Sequence, residues 1–179
     1  KPEELAPLTD AGLTPYRAIK KVRHMLGPGT SIAVVGMGGL GMYGIQYASL
    51  LAPNSAVIAI DRSDKKLSVA EDFGAEYTVN SASCKDIRKE ILCLTNGRGV
   101  DVVVDTVGAE NTVADSFKIL AKNGALTMVG LVPDRSSNAS LQTLAERIRV
   151  SQTDEIRLMQ QWLRDNGEDA PEPSPAGMR

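Results

Sequence analysis

Three glycines, Gly36, Gly38 and Gly41, follow a short apolar run and have the spacing of a turn that binds the pyrophosphate of a dinucleotide. Gly36 would permit the tight turn, Gly38 would let a phosphate approach the main chain, and Gly41 would let the next helix lie close to the sheet. The N–H groups of a helix that begins near Gly39 and Leu40 would then face the anion. A glycine-rich turn can also serve packing alone, so the spacing by itself does not identify a binding site.

Asp61 strengthens the binding interpretation because it ends a second apolar run, twenty residues after Gly41. An acidic side chain at this place accepts hydrogen bonds from both hydroxyls of the adenosine ribose and repels a 2′-phosphate, which favours NAD over NADP. Arg62 blurs this preference, since a guanidinium beside the ribose could accommodate a phosphate. Asp61 could also cap the helix that follows it, and the two roles are compatible. The sequence therefore predicts a site for NAD, with NADP as the weaker alternative.

Five apolar runs alternate with helical segments through the middle of the chain and must position these residues. The predicted strands are Ile32–Val35, Val57–Ile60, Tyr77–Val79, Val100–Asp105 and Ala125–Val129, and the predicted helices between them are Gly39–Leu51, Asp64–Phe73, Asp86–Leu94 and Asn111–Leu120. Strands joined by helices of this length form a parallel sheet with helices on both faces. We therefore expect an α/β fold with a doubly wound, Rossmann-like parallel sheet and a C-terminal helical appendage.

The exits of the last two predicted strands are further candidates for the site. Ligands of open parallel sheets bind outside the carboxyl ends of the strands. The segment Asp105–Gly108 follows the fourth predicted strand, and Val129–Leu131 follows the fifth. Both segments should therefore flank the nicotinamide half of the coenzyme, although such residues also occur at ordinary strand ends.

The N-terminal part of the chain divides into two predicted regions. Residues 1–30 form a lead-in segment with a helix at Gly12–Met25, in which Thr14 is the N-cap and Pro15 takes the first helical position. Residues 31–133 form the dinucleotide-binding domain. The sequence assigns no catalytic residue in either region.

Composition excludes several classes of function. The chain has 179 residues, a net charge of −2 and 4% aromatic residues, so it has neither the basic stripe nor the stacking residues that nucleic-acid binding requires. Its apolar runs are far shorter than the ~20 residues of a membrane span, and no signal peptide is recognised. Two cysteines, Cys84 and Cys93, favour a reduced, cytoplasmic protein, and with His24 as the only histidine the chain cannot complete a usual zinc site alone.

The ordered motifs resemble the coenzyme domain of zinc-type medium-chain alcohol dehydrogenases over roughly residues 4–133. The resemblance rests on Leu8–Tyr16, Gly36–Gly41, Asp61, Asp101–Gly108 and Met128–Val132. It implies hydride transfer between an alcohol and NAD(P), giving an aldehyde or ketone, with a zinc ion that polarises the alcohol oxygen. The implied partner is a small alcohol or carbonyl compound, and the resemblance leaves the oligomeric state open.

Individual residues acquire roles through this resemblance. Asp10 falls at the place of the family's third zinc ligand, and Thr14 at that of a threonine beside the nicotinamide. Asp61 and Lys66 match contacts to the adenosine ribose. The residues that match the lining on the nicotinamide side are Val107, Val129 and Leu131, and Gly130, which lies between the last two, stays a candidate because it follows the fifth predicted strand. Because the β-rich domain that supplies the family's other zinc ligands has no counterpart here, we expect that this chain does not hold zinc alone.

The C-terminal part departs from the family after Pro133, where no sixth strand is recognised. Residues 134–166 form the predicted appendage, dominated by a helix at Leu141–Leu163 that weakly resembles the last helix of a ferritin-like bundle family. Residues 167–179 are rich in Pro, Glu and Ser, which predicts a disordered tail. Three functions stay open: the coenzyme domain of an alcohol dehydrogenase, a non-catalytic dinucleotide-binding module (truncated or fused), or an interaction protein that uses this helix.

Overall fold

A computed structural model describes residues 6–9 and 11–129, together with residues 161, 164, 165 and 167. Its helices and strands are α1 (Leu13–Val22), β1 (Ser31–Val35), α2 (Gly39–Leu51), β2 (Ala56–Asp61), α3 (Asp64–Asp72), β3 (Tyr77–Asn80), α4 (Ile87–Leu94), β4 (Val100–Asp105), α5 (Glu110–Ile119) and β5 (Leu120–Met128), with 3₁₀ turns at Ala6–Thr9 and Arg23–Met25. The strands form one parallel sheet in the order β3-β2-β1-β4-β5. The predicted doubly wound α/β sheet is confirmed.

The strand order places a topological switch point at the centre of the sheet. The chain runs outward from β1 through β2 to β3 and then returns to place β4 on the other side of β1. In the register of the sheet, Val35 pairs with both Ile60 and Asp105, so the carboxyl ends of β1, β2 and β4 lie side by side. A crevice opens at such a point because the connections on its two sides lead in opposite directions.

Both faces of the sheet are covered by helices, which explains why the central strand is apolar throughout. All five residues of β1 are buried. Ile32 and Val34 belong to a core with side chains from α1, α2 and α3, whereas Ala33 and Val35 belong to a second core with Ile91 of α4 and others. Each fully buried Val or Ile stabilises the fold by about 1.5–3 kcal/mol relative to an exposed one. The two cores therefore fix the central strand between the two layers of helices.

The start of α1 differs from the prediction. The helix begins at Leu13 with Gly12 as its N-cap, so Thr14 lies inside the first turn and the prediction that it caps the helix is wrong. The N–H groups in the first turn of a helix have no acceptor within the helix, so proline is tolerated at each of these positions. Pro15 therefore does not show which residue is the first of the helix. Pro15 is buried instead, and α1 packs against α2.

The boundary between α5 and β5 also differs from the prediction. The sequence predicts a helix as far as Leu120 and a strand from Ala125, but Leu120 already pairs with Val100 in the sheet. Ala125 then pairs with Val102, and Asn123, with φ at +65°, lies in the irregularity between the two pairs. The Asn-Gly signal is therefore part of an interrupted strand, because pairing with β4 outweighs the local turn preference.

Several predictions lie outside the described residues. They include Asp10, Gly130, Leu131 and almost all of the predicted appendage and tail, with all of the helix at Leu141–Leu163 except residue 161. Among the described helices, none combines the length and the apolar character that crossing a membrane would demand.

Candidate functional site

Gly36 makes the turn that leaves β1. Its φ of +90° lies in a region that residues with a Cβ rarely adopt, and its N–H donates to the carbonyl oxygen of Ile60 at 2.8 Å. A Cβ at this position would lie 2.4 Å from Cγ2 of Val107. Only glycine can therefore make this turn while the exit of β4 stays in place.

Gly41 brings the first turn of α2 against the same turn. A Cβ on Gly41 would lie 1.7 Å from the carbonyl oxygen of Gly36, which is far inside van der Waals contact. The predicted role of Gly41, close approach of the helix, therefore agrees with its surroundings. Two of the three glycines are required by the packing of the protein itself.

Gly38 differs from the other two glycines. It is the N-cap of α2 with φ −90° and ψ −163°, an extended conformation that other residues adopt. No described atom outside its chain neighbours lies within 4 Å of the place where its Cβ would be. Nothing in the described fold therefore explains a glycine here, whereas a ligand lying against the main chain would explain it.

The first turn of α2 presents unused donors beside this open space. The first helical bond runs from Met42 N–H to the carbonyl oxygen of Gly38 at 2.9 Å. Among the described residues, no hydrogen bond uses the N–H groups of Gly39, Leu40 or Gly41. These N–H groups lie at the positive end of the helix dipole. The free donors and the dipole together form a site that suits an anion.

The segment that follows β4 is hydrogen-bonded to the glycine turn and stabilises it. Thr106 donates its main-chain N–H to the carbonyl oxygen of Val35 at 3.0 Å. Its Oγ1 lies 2.8 Å from the carbonyl oxygens of both Val35 and Gly36, so the hydroxyl can donate to either one. The two strand exits at the switch point are therefore joined by side-chain as well as main-chain bonds.

A fully buried carboxylate holds this exit in shape. Oδ1 of Asp105 accepts the N–H groups of Val107 at 2.8 Å and Gly108 at 3.0 Å. Its Oδ2 lies 2.9 Å from the hydroxyl of Thr112, which can donate either to this oxygen or to the carbonyl oxygen of Ala109 at the same distance. The carbonyl oxygen of Asp105 accepts the N–H of Val129 at 2.8 Å, which ties the exit of β5 to the same place. Val107 and Val129 thus lie together at the carboxyl edge of the sheet.

Asp61 connects the end of β2 to the glycine turn. Its Oδ2 accepts the main-chain N–H of Met37 at 2.6 Å, and its Oδ1 accepts that of Ser63 at 2.9 Å. The N-cap of α3 is Ser63, so the alternative that Asp61 is the cap is wrong. Arg62 and Lys66 are exposed and form no ion pair with any other residue that the structure describes.

A cleft of about 430 Å³ opens beside Asp61, a volume within the range of small-molecule sites. Its lining includes four apolar residues, Val35, Ile60, Ile87 and Ile119, and six polar or charged ones, Arg62, Ser81, Asn111, Thr112, Asp115 and Ser116. The hydroxyl of Ser116 is buried and, within the described part of the chain, has no hydrogen-bond partner. Such a cleft suits a flat, partly polar group such as a nucleobase.

The start of α1 lies near the glycine turn. A Cβ on Gly39 would lie 4.0 Å from Cβ of Ala11, and Thr14 is half-buried one residue into the helix. Asp10, the candidate metal ligand, lies outside the described residues. Across the described ranges, no three His, Cys, Asp or Glu side chains lie close enough together to hold a metal ion.

Comparison with known proteins identifies the family. The profile of a family described as zinc-binding dehydrogenase matches residues 39–163, which is more than half of the chain. The chain belongs to this zinc-binding dehydrogenase family. Two NAD-dependent alcohol dehydrogenases, from Sulfurisphaera tokodaii and Saccharolobus solfataricus, are each 39% identical over 145 residues, covering 80% of this dehydrogenase-family chain and 41% of the relative.

Solved structures agree with this assignment. The alcohol dehydrogenase of Aeropyrum pernix matches the dehydrogenase-family chain with a TM-score of 0.69 and 39% identity, covering 80% of this chain and 41% of that one. The D-arabinose dehydrogenase of Sulfolobus solfataricus matches with a TM-score of 0.64 and 33% identity, over 80% and 44% of the two chains. The chain thus spans about two fifths of the length of the relatives that it matches.

The structure of this dehydrogenase domain brings most of the predicted site residues to one edge of the sheet and adds others. The sequence did not predict the roles of the Met37 amide, the Thr106 hydroxyl and the Asp105 carboxylate. For Asp105, a signal exists in the sequence: an Asp followed two and three residues later by Val and Gly can form an Asx turn. Met37 carries no such signal, because its partner lies 24 residues away in sequence.

Proposed function

We propose that the chain binds NAD across the switch point, as the coenzyme domain of an alcohol dehydrogenase-like oxidoreductase. The pyrophosphate would lie over Gly38 and accept the N–H groups of Gly39, Leu40 and Gly41. The adenosine ribose would lie on Asp61, and the adenine in the cleft beside Arg62. The nicotinamide would extend toward Val107 and Val129. Leu131 and Thr14 are further proposed contacts from the family resemblance, and Gly130 is one from its place after the fifth predicted strand.

The observation that carries this proposal is the contrast among the three glycines. Gly36 and Gly41 leave no room for a Cβ because other protein atoms occupy it, whereas the space beside Gly38 is open. A turn that served packing alone would not need a glycine at an open, extended position. The free N–H groups beside that position supply what a pyrophosphate requires.

The preference for NAD over NADP rests on Asp61, with Lys66 proposed as a further ribose contact. A carboxylate at the ribose accepts hydrogen bonds from hydroxyls and repels a phosphate. The relatives use both coenzymes: two are NAD-dependent alcohol dehydrogenases, and a D-arabinose 1-dehydrogenase (NADP(+)) is 35% identical over 144 residues. The exposed Arg62 could soften the discrimination, so we expect weak binding of NADP rather than none.

The proposed reaction is the transfer of a hydride between a small alcohol and the coenzyme. Bound NAD would supply the hydride acceptor at its nicotinamide ring. The described residues would hold and orient the coenzyme, and Val107 and Val129 would keep water from one side of the ring. The substrate, and a zinc ion by family, would be held with residues beyond those described. We also propose a cytoplasmic location, which agrees with Cys84 and Cys93 being free of disulfide bonds.

Calorimetric titration of the chain with NAD and with NADP tests the proposal. We expect NAD to bind more tightly, and Asp61→Asn to reduce that preference by about tenfold, the size expected for a hydrogen bond to a charged group. Equal losses for both coenzymes would remove Asp61 from the ribose. Failure of both to bind would overturn the proposed function. Binding without alcohol-dependent formation of NADH, with zinc present, would instead favour a non-catalytic dinucleotide-binding module.

A further inference from the structure

Asp61 makes more bonds inside the protein than a residue reserved for the ribose would need. Each of its carboxylate oxygens already accepts one main-chain N–H, from Met37 at 2.6 Å and from Ser63 at 2.9 Å. Met37 belongs to the glycine turn, whereas Ser63 is the N-cap of α3, two residues after the end of β2. The carboxylate therefore fastens the turn to the end of the neighbouring strand before any ligand arrives.

The number of acceptor sites allows both tasks at once. An ionised carboxylate offers about four lone-pair positions, two on each oxygen. Met37 and Ser63 occupy one position on each oxygen. One position on each oxygen remains, which matches the two adjacent hydroxyls of a ribose. Binding the ribose therefore does not require the carboxylate to release the turn.

The hydrogen bond from the Met37 N–H to Asp61, called the anchor below, also determines which N–H groups of the turn face a ligand. Gly36 N–H donates to Ile60 at 2.8 Å and Met37 N–H to Asp61, so both groups point toward β2. The Met37 side chain is 2% exposed, which holds this residue in place on the core side. With the amides of Gly36 and Met37 fixed in this way, the free amides of the turn are those of Gly39, Leu40 and Gly41.

We propose that Asp61 is the positioning residue of the pyrophosphate turn, acting through the N–H of Met37 in addition to any contact with the ribose. This inference rests on the proposed function, because it assumes that the turn binds a pyrophosphate. Positioning of the turn can be distinguished from a ribose contact with a coenzyme analogue that lacks the hydroxyls of the adenosine ribose. Loss of Asp61 must weaken even that ligand, since the turn that binds its pyrophosphate is no longer held.

The experiment compares two proteins and two ligands in all four combinations, so that loss of the Asp61 side chain and loss of the ribose hydroxyls are measured separately and together. Wild type and Asp61→Ala are titrated with NAD and with an NAD analogue whose adenosine ribose lacks both the 2′- and 3′-hydroxyls. We expect Asp61→Ala to bind the dideoxy analogue about tenfold more weakly than wild type does, the size expected when a bond to a charged group is lost. Equal affinity of the two proteins for this analogue would overturn the proposal.

Asp64→Ala is the matched control. It removes the same charge from the same segment, but Asp64 is exposed and accepts Asn80 Nδ2 at 2.5 Å rather than an amide of the turn. We expect its affinity for the dideoxy analogue to equal that of wild type. A loss as large as that of Asp61→Ala would assign the effect to charge alone and would also overturn the proposal.

Hydrogen exchange of the ligand-free protein separates this proposal from the proposed function. The Met37 amide should exchange slowly in wild type and in Asp64→Ala, and much faster in Asp61→Ala. Fast exchange of this amide in wild type would overturn the anchor even if NAD binds. If the Met37 amide of wild type exchanges slowly but wild type does not bind NAD, the hydrogen bond to Asp61 is supported and the proposed function is overturned.

Discussion

The three glycines of the turn should respond differently to the same change. Alanine at Gly41 places its Cβ 1.7 Å from the carbonyl oxygen of Gly36, so helix α2 must move away from the turn. Alanine or valine at Gly38 meets no described atom within 4 Å and fits the extended backbone there. We therefore expect Gly41→Ala to damage the fold, and Gly38→Val to damage only the binding of the coenzyme.

Magnitudes follow from these contacts. Overpacking costs about 1–3 kcal/mol, which lowers the thermal midpoint of a chain of this size by about 2–12 °C for Gly41→Ala. Replacing glycine at a compatible position stabilises by about 0.4–1 kcal/mol, so Gly38→Ala should raise the midpoint by about 1–4 °C. Gly38→Val covers several charge-assisted donors worth about 1.5–3 kcal/mol each, so NAD affinity should fall at least about a hundredfold.

Two assays on the same samples decide the matter. Thermal unfolding without ligand gives the midpoint, and calorimetric titration with NAD gives the affinity. A Gly38→Val protein that is as stable as wild type and still binds NAD normally would refute the reasoning, because the pyrophosphate could not then lie over this turn. A Gly41→Ala protein with an unchanged midpoint would show that the close contact with Gly36 is absent.

Two further predictions concern carboxylates that hold the fold around the site. Asp105→Ala should cost about 3 kcal/mol or more in urea unfolding, because the N–H groups of Val107 and Gly108 lose their acceptor and the hydroxyl of Thr112 loses one of its two acceptors. Asp105→Asn, which keeps one oxygen, should cost clearly less; equal losses would contradict the bonding described. Asp86→Ala removes the N-cap of α4 and should lower the free energy of unfolding by about 1 kcal/mol without changing NAD affinity. A change in NAD affinity would contradict the interpretation that Asp86 only caps this helix.

Local and short-range signals account for the part of the site that the sequence predicts. The spacing of Gly36, Gly38 and Gly41 belongs to one strand-turn-helix unit, in which the packing requires glycine at positions 36 and 41. Val107 and Val129 were placed by a general property of parallel sheets, namely that strand exits share one edge. Such features need no knowledge of which distant residues meet.

Bonds between distant segments account for what the sequence does not predict. Asp61 was expected to face a ribose, but its bonds to Met37 and Ser63 depend on how β1 and β2 end side by side. The start of β5 at Leu120 likewise depends on pairing with Val100, which local turn preference cannot reveal. The N-cap assigned to Thr14 failed because a proline in the first turn does not specify which position it takes.

The central claim is that free main-chain N–H groups at the start of α2 bind the pyrophosphate of NAD. A crystal structure of the full chain with NAD tests it most directly. The account predicts phosphate oxygens over Gly38, at about 2.7–3.2 Å from the N–H groups of Gly39 to Gly41. An empty turn, with NAD instead in the cleft of about 480 Å³ at the amino ends of the strands near Ser31 and Arg98, would contradict it.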